Sequence, residues 1–338
     1  MIAVGVDTHK DRHHAVALDQ VGRPLGELVP AADAAGYEEL RLWAERIGGA
    51  GEIVFGIEGA GSYGAGLCRH LQAAEHQVVE VERPRRAERR AGKSDRIDAL
   101  AAARRVLEGS FSIPRRRGAL SAIRALLLAR RSAVGERTRV LNQLQALNTT
   151  APIALRERVG RGTGKQIERR ILSMRRRPGA DLEERVAFAV MRDLAAHSRA
   201  LGADARRYEH ELAELVTGID PALLRKPGVG PISAAKLLAC DPARFRSEAA
   251  FARCNGTAPI PASSGKTVRH RLNRGGDRQV NNAIHTIAIV RAKYQPETRV
   301  YLDRRIGEGK SKREALRSLK RHISRELYRH LTAVPLTS

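Results

Sequence analysis

Two aspartates three positions apart, in the segment KSDRIDALAAARRV (residues 93–106), are the first residues whose types and spacing could do chemistry. The alanine-rich segment reads as a helix, so Asp95 and Asp98 should lie on one face about one turn apart. Like charges at this spacing reduce stability unless a counter-charge is present. In a chain with few acidic residues, the pair therefore indicates a bound cation.

Two more acids end predicted strands: Asp7 follows the first strand and Glu58 ends the fourth. In a ribonuclease-H-like sheet these strands are neighbours, and a helix packed at their ends could bring Asp95 and Asp98 alongside. Four carboxylates together suit Mg²⁺ or Mn²⁺, which can act on a scissile phosphate by clamping its attacking and leaving oxygens.

Each acid also has a simpler interpretation. Asp95 or Asp98 alone could be an N-terminal helix acid that the helix dipole favours. Clustered acids can also titrate as a coupled set without any metal. The histidines close to Asp7, which are His9, His13 and His14, are expected to be structural and are left out of the site.

The elements that must position these acids follow from apolar patterning and turn residues. Strands are predicted at 2–6, 14–18 and 25–29, then at the EIVFGIE and QVVEVE segments, with amphipathic helices between the last three. Three strands followed by alternating helices and strands predict an α/β domain of the ribonuclease-H (RuvC-like) type.

Beyond residue 100 the pattern is helical. One long helix covers residues 119–148, and a basic connector covers 151–180. A stripe of residues at three- and four-residue spacing farther along predicts a coiled coil or a helical hairpin. Packing of this stripe within the chain and packing against a second chain are equally well supported. Its residues are Val190, Leu194, His197, Leu201, Ala205, Tyr208, Leu212 and Leu215.

The segment LLRKPGVGPISAAKLLA (residues 223–239) begins a third, mainly α-helical region. Gly228 and Gly230 flank a tight turn that opens a helix, where free backbone N–H groups can hold a phosphate. The spacing is similar to a helix-hairpin-helix module that binds the DNA backbone, although a plain glycine-capped junction also explains it. The basic amphipathic helix near the end of the chain fits a docked helix as well as an RNA-binding one.

The 338 residues include 61 Lys and Arg against 37 Asp and Glu, a formal net charge of +24. Such an excess predicts a polyanionic partner, nucleic acid first and an anionic membrane surface second. The three cysteines form no CxxC pair, and neither a signal peptide nor a membrane-spanning run is apparent. We therefore expect a soluble cytoplasmic protein that associates with the nucleoid and does not bind a membrane.

A second candidate centre lies in the segment 254–292, where Ser263 and Ser264 stand in a small-residue loop. Basic residues surround them, and we expect Lys266, Arg269, Arg271 and Arg274 to bind nucleic acid. From the residues alone, the serine hydroxyl could contact a phosphate, stabilise a turn or act as a nucleophile.

The segments GVDTHK, GIEG, KSDRIDA, PGVGPISAAKLLA and GTAPIPASSGKTVRHRLNRGGDRQVNNAI occur in this order. Together they resemble the DEDD-motif transposases of insertion sequences, the family numbered one-ten. The resemblance covers nearly the whole chain, and the ordered set of motifs is far more specific than any one of them.

This resemblance implies a RuvC-like domain at residues 1–110, a coiled-coil and basic connector at 111–218, and a transposase domain with a catalytic serine at 219–338. It implies DNA recombination guided by a structured bridge RNA, in homodimers that assemble into tetramers. Matched by motif, the acidic tetrad falls on Asp7, Glu58, Asp95 and Asp98.

The same match places the nucleophile on Ser263, four positions after Pro259. Thr257 and Ala258 replace the apolar pair usual in the family, so the register leaves Ser264 as the second candidate. Two other functions use the same residues: a RuvC-like nuclease that cuts branched DNA with water, and a non-catalytic nucleic-acid-binding protein whose acids are structural.

Overall fold

A computed structural model describes residues 1–82, 94–262, 270–273 and 275–333. The chain divides into two compact units, Met1–Arg116 and Arg117–Ser338. The three-domain division expected from the sequence stays a prediction.

The first unit contains a five-stranded sheet and three helices. Its strands are β1 (Ile2–Thr8), β2 (His13–Leu18), β3 (Pro24–Leu28), β4 (Ile53–Glu58) and β5 (Gln77–Val81). Its helices are α1 (Ala34–Gly48), α2 (Ala65–Ala73) and α3 (Asp95–Leu107). All five strands lie where the apolar patterning predicted them, within two residues.

The strands lie in the order β3-β2-β1-β4-β5. β1 pairs antiparallel with β2 and parallel with β4, while β4 and β5 are also parallel. The first and fourth strands are therefore neighbours, as predicted, and because they are parallel their carboxyl ends reach the same edge of the sheet.

Helices cover both faces of this sheet. On one face, alternate residues such as Val4 and Phe55 pack with Leu40 of α1 and Leu67 of α2. On the opposite face, the core includes Ala3, Val54, Ala99, Ala102, Ala103 and Val106, so α3 covers it. Asp7 and Glu58 have the same parity as Ala3 and Val54, which directs their side chains to the α3 face.

The second unit is helical apart from a two-residue ladder between β6 (Ile260–Pro261) and β7 (His270–Arg271). Its first helices are α4 (Ala119–Thr150), α5 (Ile153–Val159), α6 (Gly164–Ser173), α7 (Leu182–Ile219) and α8 (Pro221–Leu224). The remaining helices are α9 (Pro231–Ala239), α10 (Glu248–Cys254), α11 (Arg278–Tyr294), α12 (Pro296–Gly307) and α13 (Lys312–Ala333).

Helices α4 and α7 form an antiparallel hairpin within the chain. Arg130 pairs with Glu209 near one end, and the Arg137 guanidinium donates to the Ser198 carbonyl, 3.1 Å away, nearer the other. This is the helical-hairpin alternative of the sequence interpretation. An additional coiled coil between chains stays a prediction.

The buried stripe of α7 differs from the predicted one over the first half of the helix. The buried residues there include Phe188, Met191, Ala195, Ser198 and Gly202, whereas Val190 is 43% exposed. Of the predicted residues in this half, Leu194 is partly buried against the same core. Apolar spacing missed this stripe because Ala, Ser and Gly carry little hydrophobic signal. From Ala205 onward, the predicted and observed stripes share Ala205 and Leu212.

The last helix, α13, is docked against the second unit. Its apolar side, with Leu319, Ile323, Leu327 and Leu331, joins a core built with α9 and α11. None of the helices in the described residues combines the length and the apolar character needed to cross a membrane.

Candidate metal centre

Asp7 and Glu58 lie at the carboxyl ends of β1 and β4, one residue beyond the registered pair Val6–Ile57. Both side chains are buried, with residue exposures of 5% and 7%. The Thr8 hydroxyl donates a hydrogen bond of 2.7 Å to the Glu58 carbonyl and ties the two strand ends together. The sheet therefore holds two carboxylates side by side in a partly desolvated position.

Two glycines allow α3 to pack closely against β1 and β4. Gly5 and Gly56 are paired across β1 and β4. A Cβ added to Gly5 would lie 2.1 Å from the Ala99 carbonyl oxygen, and one added to Gly56 would lie 2.4 Å from a methyl carbon of Val106. Each glycine stands two residues before an acid, on the same face, so the helix can only lie this close because both side chains are absent.

The first turn of α3 carries Asp95 and Asp98. Ser94 caps the helix, its side-chain oxygen accepting from the Ile97 N–H. Free N–H groups in this turn favour negative charge, so the dipole explanation accounts for part of the aspartate pair.

The start of α3 also contacts β3, the edge strand of the sheet. The Arg96 Nε donates to a Glu27 carboxylate oxygen at 2.7 Å, and the other oxygen of Glu27 lies 2.7 Å from the His14 Nε2. The Arg96 hydrogen bond is the main reason that the pKa of Glu27 is lowered. These contacts connect the first turn of α3 to β3 and β2.

His9 links the two sets of acids. Its Nε2 lies 3.1 Å from Asp7 Oδ2 and 3.4 Å from Asp95 Oδ1. Ligand atoms of Asp7, His9 and Asp95 all lie within 4.8 Å of one another, a spacing that could hold one metal ion. The sequence interpretation left His9 out of the site, whereas the structure places its ring between two of the predicted acids.

The electrostatics of Asp7 reflect this crowding. Burial is the main reason that the pKa of Asp7 is raised, and the nearby Glu58 and Asp98 carboxylates raise it further, while His9 lowers it. The carboxylates of Glu58 and Asp98 thus interact electrostatically with the carboxylate of Asp7. A divalent cation would remove the desolvation and repulsion costs together.

The donor set fits a divalent cation. Carboxylate oxygens are the ligands that Mg²⁺ and Mn²⁺ prefer, and a neutral imidazole nitrogen suits Mn²⁺ better than Mg²⁺. Asp7, Asp95 and His9 offer ligand atoms close enough together for one ion, and the Glu58 and Asp98 carboxylates interact electrostatically with Asp7.

The predicted nucleic-acid and serine residues belong to the second unit. Ser263, Ser264, Lys266, Arg269 and Arg274 lie outside the described residues. Arg271 ends β7 and is exposed. Gly228 and Gly230 flank the turn that leads into α9, as predicted.

The two glycines of this turn differ in their surroundings. Gly228 has a φ of +75°, and an added Cβ would lie 3.0 Å from the Ile287 carbonyl oxygen, so this glycine packs against α11. The Arg291 Nε donates to the Pro227 carbonyl at 2.8 Å and holds the turn in place. Gly230 caps α9 and is exposed, which leaves its position the more accessible to a phosphate.

Sequence reasoning missed the glycines under α3 and the role of His9. A signal for the glycines was present, because GVD (residues 5–7) and GIE (residues 56–58) share one spacing of glycine and acid. His9 also has the parity of Asp7, but only the fold shows that Asp95 lies on its other side.

Comparison with known proteins gives two family matches. A family described as "Transposase", of the DEDD type of IS110, matches residues 4–151, and the "Transposase IS116/IS110/IS902 family" matches residues 220–303. The first match contains all four predicted acids, and the second contains the predicted serines.

Two curated relatives match the chain. The "Insertion element IS110 uncharacterized 43.6 kDa protein" of Streptomyces coelicolor is 33% identical over 137 residues, which is 39% of this chain and 34% of the relative. The "Insertion element IS900 uncharacterized 42 kDa protein" of Mycobacterium paratuberculosis is 30% identical over 153 residues, 43% of this chain and 37% of the relative.

The matched region thus spans about a third of the length of these relatives. The first family match covers most of the first compact unit and continues into α4 of the second, and the second match lies within the second unit. Both matches follow the motif order noted in the sequence, which confirms the resemblance. The chain belongs to the IS110 family of insertion-sequence transposases.

Proposed function

We propose that this protein is a DNA transposase that cuts and rejoins strands of its insertion sequence by metal-dependent phosphoryl transfer. The observation that carries the proposal is the grouping of Asp7, Glu58 and the first turn of α3 at one edge of the sheet, in a chain of a transposase family. The net charge of +24 suits a DNA partner.

The first unit is, in this proposal, a ribonuclease-H-like (RuvC-like) domain. The strand order β3-β2-β1-β4-β5, with β2 antiparallel to its neighbours and β1, β4 and β5 parallel, supports this assignment. So does the position of the acids, which end the two adjacent parallel strands.

The resident cofactor would be Mg²⁺, with Mn²⁺ as a substitute, held by Asp7, Glu58, Asp95 and Asp98. When bound, the ion would supply positive charge that polarises a phosphate and lowers the pKa of an attacking hydroxyl. The burial of Asp7 and Glu58 supports this role because a low dielectric strengthens their interaction with a cation.

The nucleophile would be the hydroxyl of Ser263, or of Ser264 if the register differs by one. Its oxygen would form a bond to phosphorus while the bond from phosphorus to one deoxyribose oxygen breaks. A hydroxyl of the other DNA end would later attack the same phosphorus and release the serine. This order conserves the phosphodiester bond without ATP.

The family resemblance supports two further parts of the proposal. A structured bridge RNA would choose donor and target DNA, and homodimers would pair into tetramers that supply the acids and the serine. A protein of this kind would work in the cytoplasm, associated with the nucleoid.

A covalent-adduct experiment tests the chemistry. The full chain, the bridge RNA transcribed from DNA flanking its gene, Mg²⁺ and labelled donor and target DNA are mixed and quenched in denaturant. We expect a denaturant-resistant protein–DNA adduct that requires Mg²⁺ and is lost in Asp7→Ala and in Ser263→Ala, while both variants still bind DNA. If only Ser264→Ala removes the adduct, the nucleophile is Ser264.

Two results would contradict the proposal in different ways. Cleavage that needs Asp7 but neither serine, with no adduct, would indicate a RuvC-like endonuclease that uses water. DNA binding without any Mg²⁺-dependent cleavage or joining would indicate a non-catalytic nucleic-acid-binding protein.

A further inference from the structure

A strongly basic cavity lies in the second unit, beside α12 and α13. Its volume is about 460 Å³, within the usual size of a small-ligand site. Among the described residues that line it, seven are arginine or lysine and one, Glu314, carries a carboxylate. One oxygen of that carboxylate accepts from the Ser311 N–H and hydroxyl at the start of α13, and the other lies 3.7 Å from the Arg317 guanidinium.

Lys320 is the buried charge of this cavity, with a residue exposure of 9%. Its ammonium donates to the side-chain oxygen of Asn281 at 2.7 Å, and no carboxylate among the described residues forms an ion pair with it. Burial lowers its pKa. A buried ammonium that donates to a neutral amide is costly, and a bound anion would offset that cost.

Arginine side chains add to the positive potential. The Nε of Arg305 is buried without a hydrogen-bond partner in the described part of the chain. The pKa of His322, in the same cavity, is lowered by burial first and then by Arg325, Arg305 and other arginines. The cavity thus concentrates positive charge, with donors available for phosphate oxygens.

The lining of the cavity also includes apolar and aromatic residues. Pro259, Leu272 and Tyr301 line it, and the Tyr301 ring meets the His322 ring edge-on at 5.4 Å between centroids. Sites for single-stranded nucleic acid combine a basic groove with an aromatic surface that a base can contact. Both features occur in this cavity.

The cavity is also next to the predicted serine segment along the chain. Its lining includes Pro259, which precedes that segment, and Arg271, which follows it. The β6–β7 ladder joins these two flanks through the pairs Ile260–Arg271 and Pro261–His270.

We propose that this cavity binds one nucleotide of a single DNA strand, with its phosphate on Lys320 and the neighbouring arginines and its sugar and base against Tyr301. The inference rests on the proposed function for the choice of DNA. It adds a backbone-binding site that would hold the strand close to the residues flanking the serine segment.

The test measures binding of a fluorescent 20-nucleotide oligo(dT) to the full chain by anisotropy, in EDTA so that no metal chemistry occurs. The cavity variant is Lys320→Met with Arg317→Gln. The matched control is Lys312→Met with Arg313→Gln, which removes the same charges from exposed positions on the same helix that do not line the cavity.

We expect the cavity variant to weaken binding at least tenfold at 100 mM salt. The slope of log K against log salt concentration is negative, and each lost phosphate contact should reduce its magnitude by about 0.7. The control should weaken binding less than threefold and keep the slope. Equal losses in both pairs would overturn the inference, since diffuse charge would then explain binding. If Lys320→Met unfolds the chain, Arg305→Gln with Arg317→Gln replaces it.

Two competitors separate the possible sources of the phosphate. Inorganic phosphate at 10 mM should displace little oligonucleotide; full displacement would mean a site for a small anion and would overturn the assignment to a strand. Tighter binding of oligo(rU), lost more strongly in the cavity variant, would overturn the assignment to DNA. Because the assay needs no metal, its failure is distinguishable from failure of the proposed strand transfer.

Discussion

Gly5 lies directly beneath the backbone of Ala99, so closely that a Cβ on the glycine would be 2.1 Å from the Ala99 carbonyl oxygen. This contact brings the start of α3 next to Asp7, two residues farther along β1. The distance between a strand and a helix backbone thus decides whether two separate acidic motifs form one site.

Replacing Gly5 with valine should therefore separate α3 from the sheet. We expect the free energy of unfolding to fall by about 2 kcal/mol or more, because the added atoms meet backbone that cannot yield easily. Chemical denaturation measures this, and Gly61→Ala is the control, since an added Cβ there meets nothing within 4 Å. An equal, small effect of both substitutions would show that α3 is not packed in this way.

Replacing Asp7 with asparagine should abolish stabilisation by divalent cations. Mn²⁺ at a hundredfold excess over its Kd should raise the free energy of unfolding of the wild-type chain by about 2.7 kcal/mol. Asp7→Asn should show no such increase, while Asp11→Asn, at an exposed acid between β1 and β2, should keep it. Thermal unfolding with and without Mn²⁺ gives the comparison, and a full response in Asp7→Asn would remove this residue from the site.

The raised pKa of Asp7 gives the pH dependence a definite sign. Without metal, the stability contributed by its protonated form is complete below the pKa of the unfolded chain and is lost as the pH rises through the higher pKa of the folded state. Mn²⁺ must displace this proton, so its affinity should decrease as the pH falls through the folded pKa. Mn²⁺ titrations across pH 4–8 measure this, and a flat profile would contradict it.

Replacing His9 with alanine should weaken Mn²⁺ binding, because its Nε2 contacts both Asp7 and Asp95. Changes at groups that orient or supplement metal ligands typically cost 10–100-fold in affinity, and we expect a loss in this range. His210→Ala, at an exposed histidine beside Glu214, is the control. Unchanged Mn²⁺ affinity in His9→Ala would show that the His9 ring does not contribute to metal binding.

The sequence was sufficient for most of the first unit. Apolar patterning and turn residues located all five strands, and the ribonuclease-H-like interpretation predicted that the first and fourth strands are neighbours. Asp7 and Glu58 could be placed at one sheet edge because both end parallel neighbouring strands. The contact of His9 with Asp95 could not be predicted, because it depends on how close α3 lies to the sheet.

The hairpin of the second unit shows the opposite case. Its buried stripe runs through Ala195, Ser198 and Gly202, where the Arg137 side chain crosses α7 and needs small residues beneath it. A prediction from hydrophobic spacing gives weight to larger side chains such as Val190. It therefore assigned a neighbouring face of α7 as the buried one. Packing between small residues is set by the partner helix and cannot be deduced from one helix alone.

Two adjacent residues of α7 test this corrected face. Met191 is fully buried in the core with Leu144, whereas Val190 is 43% exposed. Met191→Ala should lower the free energy of unfolding by about 2–5 kcal/mol, as large-to-small core changes do. Val190→Ala should change it by less than about 0.5 kcal/mol, because its side chain leaves no cavity. Denaturation at several protein concentrations decides between the faces: a large, concentration-dependent loss for Val190→Ala would instead mean that the predicted stripe is a seam between two chains.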